Sequence, residues 1–296
     1  MNYWIWYATL ETLTYHQKYK LLMHFGTPEN ICKARIEELI KLNFLDLLNI
    51  AELSESPNID LISKYEIYMK KNGIRMINLF DKEYPQNLKN IYDPPISIFI
   101  KGNIELLNNL SIAIIGCRNA SEYGLNIAKK LSYELATKNI VIVSGMAKGI
   151  DGMAHNGALL AYEKNNLITN NIYANTIAVL GSGVDYPYPA ENIEIYKKII
   201  KYGGLIISEY IVGTKPIASH FPQRNRIISA LSDGVLVVEA MKKSGTMITV
   251  DFALEQGKNV YVIPGNIDSP NSFGTNELIK QGAKLVSNIE DILEDY

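Results

Sequence analysis

Three positively charged side chains fall within twelve positions of the segment 208–226. Lys215 lies in a loop that contains prolines, and Arg224 and Arg226 directly precede an apolar helical pattern over 227–231. This spacing predicts a helix with both arginines near its start, where the helix macrodipole disfavours cations. Arginines at that place are best explained by a multiply charged anion, which they bind together with the exposed N–H groups. We expect this anion to be a nucleic-acid backbone.

Three further cations follow other short apolar runs of the chain. Arg118 and Lys148 come after the first two of these runs, and Lys242 comes after the fifth. A surface salt bridge is the alternative role for Arg118. A mononucleotide needs only a few cations, whereas a row of them along one edge suits a strand of several phosphates. We therefore expect a site for a polyanion.

Aromatic and small residues accompany the cations. Tyr186, Tyr188 and Phe221 could stack on the bases of an unpaired strand, although packing beneath the loop explains the two tyrosines equally well. Small residues allow tight turns in the cation-bearing loops, and 244–246 predicts a helix start with N–H groups and a hydroxyl for one phosphate. The G-x-G-x-x-G fingerprint of dinucleotide sites is incomplete in these loops, so we expect no cofactor.

Asp151 and His155 are spaced i,i+4 and could form a general acid and base pair on one helix face. No nucleophile or metal-ligand set accompanies them, so a polar pair that orients the loop is the better interpretation. Cys32 and Cys117 are too far apart in sequence to suggest a disulfide framework or a metal site. The sequence predicts neither catalysis nor a bound metal.

Six short apolar runs alternate with helical patterns after residue 108. Because each run is almost wholly apolar, we expect each to be a strand buried on both faces, as in a parallel sheet covered by helices. This predicts an α/β, doubly wound, mostly parallel sheet with the cation-bearing loops beyond the carboxyl ends of its strands, where ligands collect. The runs are 112–115, 140–143, 177–180, 205–207, 235–238 and 260–263.

The first 72 residues have apolar positions at intervals of three and four, which predicts several short helices. Thr27 followed by Pro28 and Glu29 is typical of a helix start. We predict a small helical N-terminal domain over 1–72 and a larger α/β domain over 73–296. On the sequence alone, the helical domain is best interpreted as a packing or partner module.

The overall charge limits where a nucleic acid can bind. A formal net charge of -2 and a pI near 6.1 exclude a histone-like polycation, so the binding surface must be a local patch. Two cysteines favour a reducing, cytoplasmic setting. The apolar N-terminal run lacks the positive region of a signal peptide, and no run reaches transmembrane length. We expect a cytoplasmic protein without membrane contact.

Seven ordered motifs between about Tyr84 and Ala283 resemble those of the DprA/Smf DNA-processing family. They are GCRNASEYG, SGMAKGID, GSGVDYPYP, FPQRNRII, KSGT, VIPG and GTNELI. The resemblance implies a Rossmann-like domain that binds single-stranded DNA, beside a variable N-terminal module of SAM or helix-hairpin-helix type. It also implies a dimeric protein that protects incoming DNA during natural transformation and helps to load the RecA recombinase.

The same resemblance implies that the six cations contact the DNA strand together with neighbouring small and polar residues. Lys148 stands where the family usually has arginine, which keeps the charge but loses the bidentate fork. The residues expected to bind DNA are Gly116, Arg118, Ser144, Gly145, Lys148, Lys215, Phe221, Arg224, Asn225, Arg226, Lys242, Ser244, Gly245 and Thr246.

The main alternative is an enzyme similar to the LOG-type nucleotide phosphoribohydrolases, whose related fold also places a Gly-Thr loop at this edge. Their motif, P-G-G-x-G-T-x-x-E, requires a glutamate three residues after the threonine. Here Thr249 stands three residues after Thr246, so we favour binding without catalysis. A third hypothesis, a RecA scaffold with incidental DNA contact, predicts little salt dependence of DNA affinity.

Overall fold

The computed structural model of the 296-residue chain describes residues 2–165, 173–242 and 244–296. The sequence predicts a surface excursion in the Asn-rich segment 163–175, and residues 166–172 of it lie outside the described residues. Lys243, which is predicted to flank the helix start at 244–246, also lies outside them.

Nine described strands join in one mixed sheet. Along the sheet, numbered in chain order, the strands are arranged 1-2-6-5-4-3-7-8-9. They are β1 (Ile74–Asn78), β2 (Ser97–Gly102), β3 (Ser111–Ile115), β4 (Val141–Ser144), β5 (Thr176–Val179), β6 (Leu205–Ser208), β7 (Gly234–Val237), β8 (Asn259–Val262) and β9 (Lys284–Leu285).

The strands β3 to β9 run parallel to one another. Strand β2 pairs antiparallel with β6, and β1 pairs antiparallel with β2 at the edge of the sheet. The six apolar runs correspond to β3 to β8, so the predicted doubly wound, mostly parallel α/β fold is confirmed. The chain proceeds from β3 to β6 in one direction and then crosses to the other side of β3 with β7. The switch point lies between β3 and β7, where ligands collect in sheets of this kind.

Fourteen α-helices are described. Six precede the sheet and the others connect or follow its strands. They are α1 (Tyr3–Thr9), α2 (Tyr15–Phe25), α3 (Pro28–Cys32), α4 (Ile36–Ile40), α5 (Leu47–Ser54), α6 (Ile59–Lys71), α7 (Gln86–Lys89), α8 (Glu122–Thr137), α9 (Ile150–Asn165), α10 (Ile193–Lys201), α11 (His220–Ala230), α12 (Gly245–Glu255), α13 (Phe273–Lys280) and α14 (Glu290–Leu293).

Both faces of the sheet are covered, because successive side chains of a strand point to opposite sides. On β3, Ile112 and Ile114 pack with residues of α8 and α9, whereas Ala113 and Ile115 belong to the larger core on the other face. All four side chains are buried. This two-sided burial explains why these strands read as continuous apolar runs.

The helices α1 to α6 pack on the sheet through a shared core. Ile5 of α1 and Leu21 of α2 belong to the same apolar cluster as Ile98 and Phe99 of β2. The division of the chain into two domains at residue 72 stays a prediction.

None of the described helices is both long and apolar enough to cross a membrane. Within the same residues, no group of three or more His, Cys, Asp and Glu side chains could hold a metal ion.

Candidate nucleic-acid interface

The parallel strands end together at one side of the sheet, here called the carboxyl edge. The loops after β3, β4, β6 and β7 carry Arg118, Lys148, Lys215 and Lys242, and all four side chains are exposed. We call these four residues the edge cations. Lys148 Nζ lies 4.0 Å from Glu191 Oε1, and both side chains are at least 60 % exposed, so solvent weakens this pair. That the edge cations bind DNA stays a prediction.

Helix α11 begins at His220, several residues before the predicted start near Ile227. Pro222 does not prevent this, because the first turn of a helix needs no backbone N–H of its own. Arg224 and Arg226 therefore lie beyond the first turn, and the prediction that both stand at the positive end of the helix is wrong.

Arg224 is buried, with only 3 % of its surface exposed. Its Nη1 donates to the carbonyl oxygens of Gly145, at 2.5 Å, and Val179, and its Nε donates to Asn225 Oδ1 at 3.2 Å. Burial lowers the pKa of Arg224 to about 10, although the Asp151 carboxylate opposes this shift. A Cβ atom at Gly145 would lie 2.6 Å from Nη2 of Arg224, so this approach requires glycine. Arg224 thus joins the loop after β4 to the end of β5 instead of projecting freely.

The ring of Phe221 has two guanidinium groups beside it. Arg118 Cζ lies 5.6 Å and Arg224 Cζ 5.9 Å from the ring centroid, within cation–π range. The Tyr188 ring is tilted by 41° against Phe221, with centroids 5.6 Å apart. A Cβ atom at Gly181 would lie 3.0 Å from the Phe221 ring, so this glycine makes room for it. We call Arg118, Tyr188, Phe221 and Arg224 the Phe221 cluster.

The contacts of Arg226 differ from those that the sequence predicts. Its guanidinium is buried and bidentate on Glu209, at 2.6 and 2.9 Å, and its Nε lies 3.0 Å from both the carbonyl oxygen and Oδ2 of Asp93. Burial alone would lower the pKa of Arg226, but the charge and hydrogen bonding of Glu209 together with the charge of Asp93 outweigh burial and raise it. Arg226 therefore supplies no unpaired charge to the carboxyl edge, and the prediction that it does so is wrong.

Three other residues of the predicted set serve the packing of the fold. Ser144 is fully buried, and its Oγ donates to the Ile114 carbonyl oxygen at 2.7 Å. Thr246 is 8 % exposed. A Cβ atom at Gly116 would lie 2.6 Å from Cγ1 of Ile150, so Gly116 permits the close approach of α9. The side chains of Ser144 and Thr246 are thus not available at the surface, contrary to the prediction.

Helix α12 begins at Gly245 with Ser244 at its N-cap, as the sequence predicts. The Ser244 side chain makes no capping hydrogen bond, and its Oγ is buried without a partner among the residues that the structure describes. Asn225 Nδ2 donates to the Gly245 carbonyl oxygen at 3.3 Å. This contact joins α11 to the start of α12, so Asn225, Ser244 and Gly245 lie together.

Asp151 and His155 do not form the acid and base pair that their spacing allows. His155 Nδ1 lies 2.7 Å from Thr176 Oγ1, and the Asp151 carboxylate accepts a hydrogen bond from Ala147 N at 3.3 Å. Burial, reinforced by the charge of Arg224, lowers the pKa of His155 to about 3 and keeps it neutral. Burial raises the pKa of Asp151. These contacts fit the interpretation that the pair orients the loop after β4.

Comparison with known proteins identifies the family. The family model described as DNA recombination-mediator protein A matches residues 75–296 of the chain. The chain belongs to this family. Among relatives, DNA processing protein DprA of Bacillus subtilis is 42 % identical over 227 residues, which cover 76 % of this chain and 72 % of that protein. Protein Smf of Escherichia coli is 41 % identical over 212 residues, covering 72 % of this chain and 54 % of that protein.

Solved DprA structures share the fold. The X-ray structure of DprA from Streptococcus pneumoniae superimposes with a TM-score of 0.75 at 35 % identity, covering 100 % of this chain and 98 % of that chain. A structure of DNA processing protein A from Helicobacter pylori, described for its single-stranded DNA binding mode, has a TM-score of 0.65 at 33 % identity. The superposition covers 75 % of this chain and 97 % of that chain. The predicted DprA/Smf resemblance and the Rossmann-like fold are confirmed.

In this DprA/Smf chain, sequence reasoning missed Glu239, which directly follows the last two valines of the β7 run and is 3 % exposed. Its carboxylate accepts hydrogen bonds from Ser121 N at 2.9 Å, from Ser121 Oγ and from Asn271 Nδ2 at 3.2 Å. Its carbonyl oxygen accepts from Cys117 N at 2.9 Å. Glu239 thus fixes both ends of the loop that carries Arg118. The sequence does contain a sign of this role, because Glu239 is a carboxylate directly after a wholly apolar strand at the switch point.

Proposed function

We propose that this protein binds single-stranded DNA along the carboxyl edge of its sheet. The edge cations bind the phosphates, and bases of the strand stack at the Phe221 cluster. Arg224, held by main-chain carbonyl oxygens, positions the Phe221 ring and adds positive potential. The backbone near Asn225, Ser244 and Gly245 contacts one further phosphate at the start of α12.

The observation that carries this proposal is the pair of guanidinium groups within 6 Å of one aromatic ring at the carboxyl edge. Stacking of a base on an aromatic ring contributes about 1–3 kcal/mol and needs an unpaired base. Arg118, the exposed cation of the two, lies where it reaches the backbone of the same strand. The combination favours single strands over duplexes.

Family membership supports a wider role. We infer that the protein protects incoming DNA during natural transformation and promotes RecA loading on it, as a cytoplasmic homodimer. The relative from Helicobacter pylori, which has a described single-stranded DNA binding mode, supports the DNA-binding part of this role.

We infer binding without catalysis. Thr249, at the position where the phosphoribohydrolase motif has its glutamate, is 2 % exposed inside α12. Asp151 and His155 are buried and engaged with other partners. Release of free base from nucleoside monophosphates, detected by chromatography, would instead support the enzyme alternative.

Fluorescence anisotropy with labelled oligothymidylate and with a duplex of equal length tests the proposal over a range of salt concentrations. We expect the unmodified protein to prefer the single strand. Arg118→Ala should weaken single-strand binding, and the slope of log K against log salt should become less steep by about 0.7 for one lost phosphate contact. The change also removes a cation from the Phe221 ring.

The matched control is Arg35→Ala. Arg35 is also an exposed arginine, but it lies at the start of α4 and pairs with Glu38 at 3.6 Å. We expect its removal to leave affinity and salt slope unchanged. Equal binding by the Arg118 variant and the unmodified protein, or equal loss in both variants, contradicts the proposed site.

A further inference from the structure

The Asn192 side chain joins two loops of the carboxyl edge. Asn192 directly precedes α10 in the loop after β5, and only 9 % of its surface is exposed. Its Nδ2 donates to the carbonyl oxygens of Met146 and Ala147, at 2.9 Å each. These two residues directly precede Lys148 in the chain. The loop after β5 therefore holds the main chain of the loop that carries one of the edge cations.

The turn before Lys148 has a backbone conformation that needs such support. The φ angle of Met146 is 59°, in the left-handed region that is unfavourable for residues with a side chain. The Met146 side chain is fully buried. Ala147 N donates to Asp151 Oδ2 at 3.3 Å, and its carbonyl oxygen accepts from Asn192. Side chains from two other parts of the fold thus hold this turn in place.

The contacts of Asn192 also fix the orientation of its amide group. A carbonyl oxygen can only accept a hydrogen bond, so the group that faces Met146 and Ala147 must be the NH₂ group. A Cβ atom at Gly152 would lie 3.0 Å from Asn192 Nδ2, so glycine lets α9 pack directly on the amide. A residue at position 192 needs both this shape and a donor to hold the turn.

The ion pair of Lys148 does not account for the position of its loop. Lys148 Nζ lies 4.0 Å from Glu191 Oε1, and both side chains are largely exposed. Pairs of this kind contribute little, because water screens the charges and both side chains lose rotamer freedom. The Asn192 hydrogen bonds act instead on the main chain and are shielded from water, so they determine where Lys148 begins to project.

We infer that Asn192 is a positioning residue of the DNA-binding edge. It fixes the main chain before Lys148, so that the ammonium group reaches a phosphate of the bound strand. This inference rests on the proposed function. Because Asn192 is buried, it acts on DNA only through Lys148. A loop that is already ordered loses less conformational freedom on binding, which increases affinity.

A double-mutant cycle of Asn192→Leu and Lys148→Gln in the full chain tests the inference. Leucine keeps the branched shape of asparagine but has no donor. Fluorescence anisotropy with labelled oligothymidylate measures affinity over a range of salt concentrations. We expect Asn192→Leu to weaken binding roughly three- to tenfold and to make the salt slope less steep by about 0.7, for one lost phosphate contact.

The background in which Asn192 is changed separates positioning from general stability. In the Lys148→Gln protein, Asn192→Leu should cause no further loss, because the contact on which it acts is already absent. In the Lys242→Gln protein it should cause the full loss, since Lys242 lies on a different loop. A role in stability alone would give the same loss in both backgrounds.

Asn175→Leu is the matched control. Asn175 Nδ2 also donates to a main-chain carbonyl oxygen, that of Ala136, at 3.1 Å. Asn175 directly precedes β5, so it lies at the opposite end of the parallel strands from the carboxyl edge. We expect this variant to bind the strand with unchanged affinity and salt slope. Glu191→Gln, which removes the ion pair of Lys148, should not weaken binding either.

Thermal unfolding shows whether each variant is folded. If Asn192→Leu does not fold, Asn192→Ser replaces it, because the shorter side chain cannot reach both carbonyl oxygens. Equal losses with and without Lys148, or an unchanged affinity of the folded Asn192 variant, overturn the inference while the carboxyl-edge site stands. If the unmodified protein does not bind the single strand, the proposed function fails, and this inference fails with it.

Discussion

Arg224 can occupy its buried position only because residue 145 is a glycine and has no Cβ atom. A methyl group at position 145 would lie 2.6–2.7 Å from three atoms of the Arg224 guanidinium, which is closer than atoms can pack. We predict that Gly145→Ala displaces Arg224, lowers the free energy of unfolding by about 1–3 kcal/mol and weakens single-strand binding. Urea denaturation and anisotropy measure the two effects.

Gly245→Ala is the matched control for stability. This glycine also lies at the carboxyl edge, but a Cβ atom there would have no neighbour within 4 Å in the described part of the chain. Its backbone conformation is open to alanine, so stability should be unchanged or slightly higher. If both variants lose the same stability, contact with Arg224 is not the reason for glycine at position 145.

The residue scale also shows why the predicted site was only partly correct. A sequence indicates where a cation lies in the chain but not which carboxylate comes to it. Arg226 is neutralised by Glu209, 17 positions away, and by Asp93, 133 positions away. The segment between Glu209 and Arg226 is largely an irregular loop, so the sequence does not show that the two side chains meet. The contact with Asp93 depends on how distant parts of the chain pack together in the fold.

At the scale of elements, the Glu239 carboxylate determines where the Arg118 loop and the start of α8 lie. We predict that Glu239→Ala lowers the free energy of unfolding by about 1–3 kcal/mol, because the partly buried N–H of Ser121 loses its acceptor. Single-strand affinity should fall without a change in salt slope, since no phosphate contact is removed. Hydrogen exchange of residues 117–121 should become faster.

The adjacent Glu122 provides the control for this prediction. It is exposed in the first turn of α8. Glu122→Ala should leave hydrogen exchange of the Arg118 loop as it is. Equal exchange rates in the Glu239 variant and the unmodified protein would show that the carboxylate does not hold the loop.

Elements with a strong physical signal were predictable. The six strands buried on both faces appear as apolar runs because helices cover both sides of them. Strand β9, Lys284–Leu285, has only two residues and no apolar run, so it was not predicted. The start of α11 was placed too late because Pro222 resembles a loop residue, although the first turn of a helix accepts proline.

For the whole molecule, the Arg226 ion pairs connect α11 with the loop after β6 and with the segment before β2. Because Arg226 is 4 % exposed, its removal leaves the carboxylates of Glu209 and Asp93 without their partner. We predict that Arg226→Met lowers the free energy of unfolding by about 3–5 kcal/mol. Adding Glu209→Gln to this variant should recover part of the loss, because one uncompensated charge disappears.

The pH dependence of the Arg226→Met variant distinguishes lost charge pairing from lost packing. Burial already raises the pKa of Asp93, and Arg226 opposes that shift. Without Arg226 the pKa of Asp93 rises further, so the folded state binds the proton more tightly than the unfolded state does. Stability is then favoured at low pH and lost as pH rises through the folded pKa. Urea denaturation should therefore show a larger deficit at neutral pH than at mildly acidic pH, whereas a deficit that is constant with pH points to packing alone.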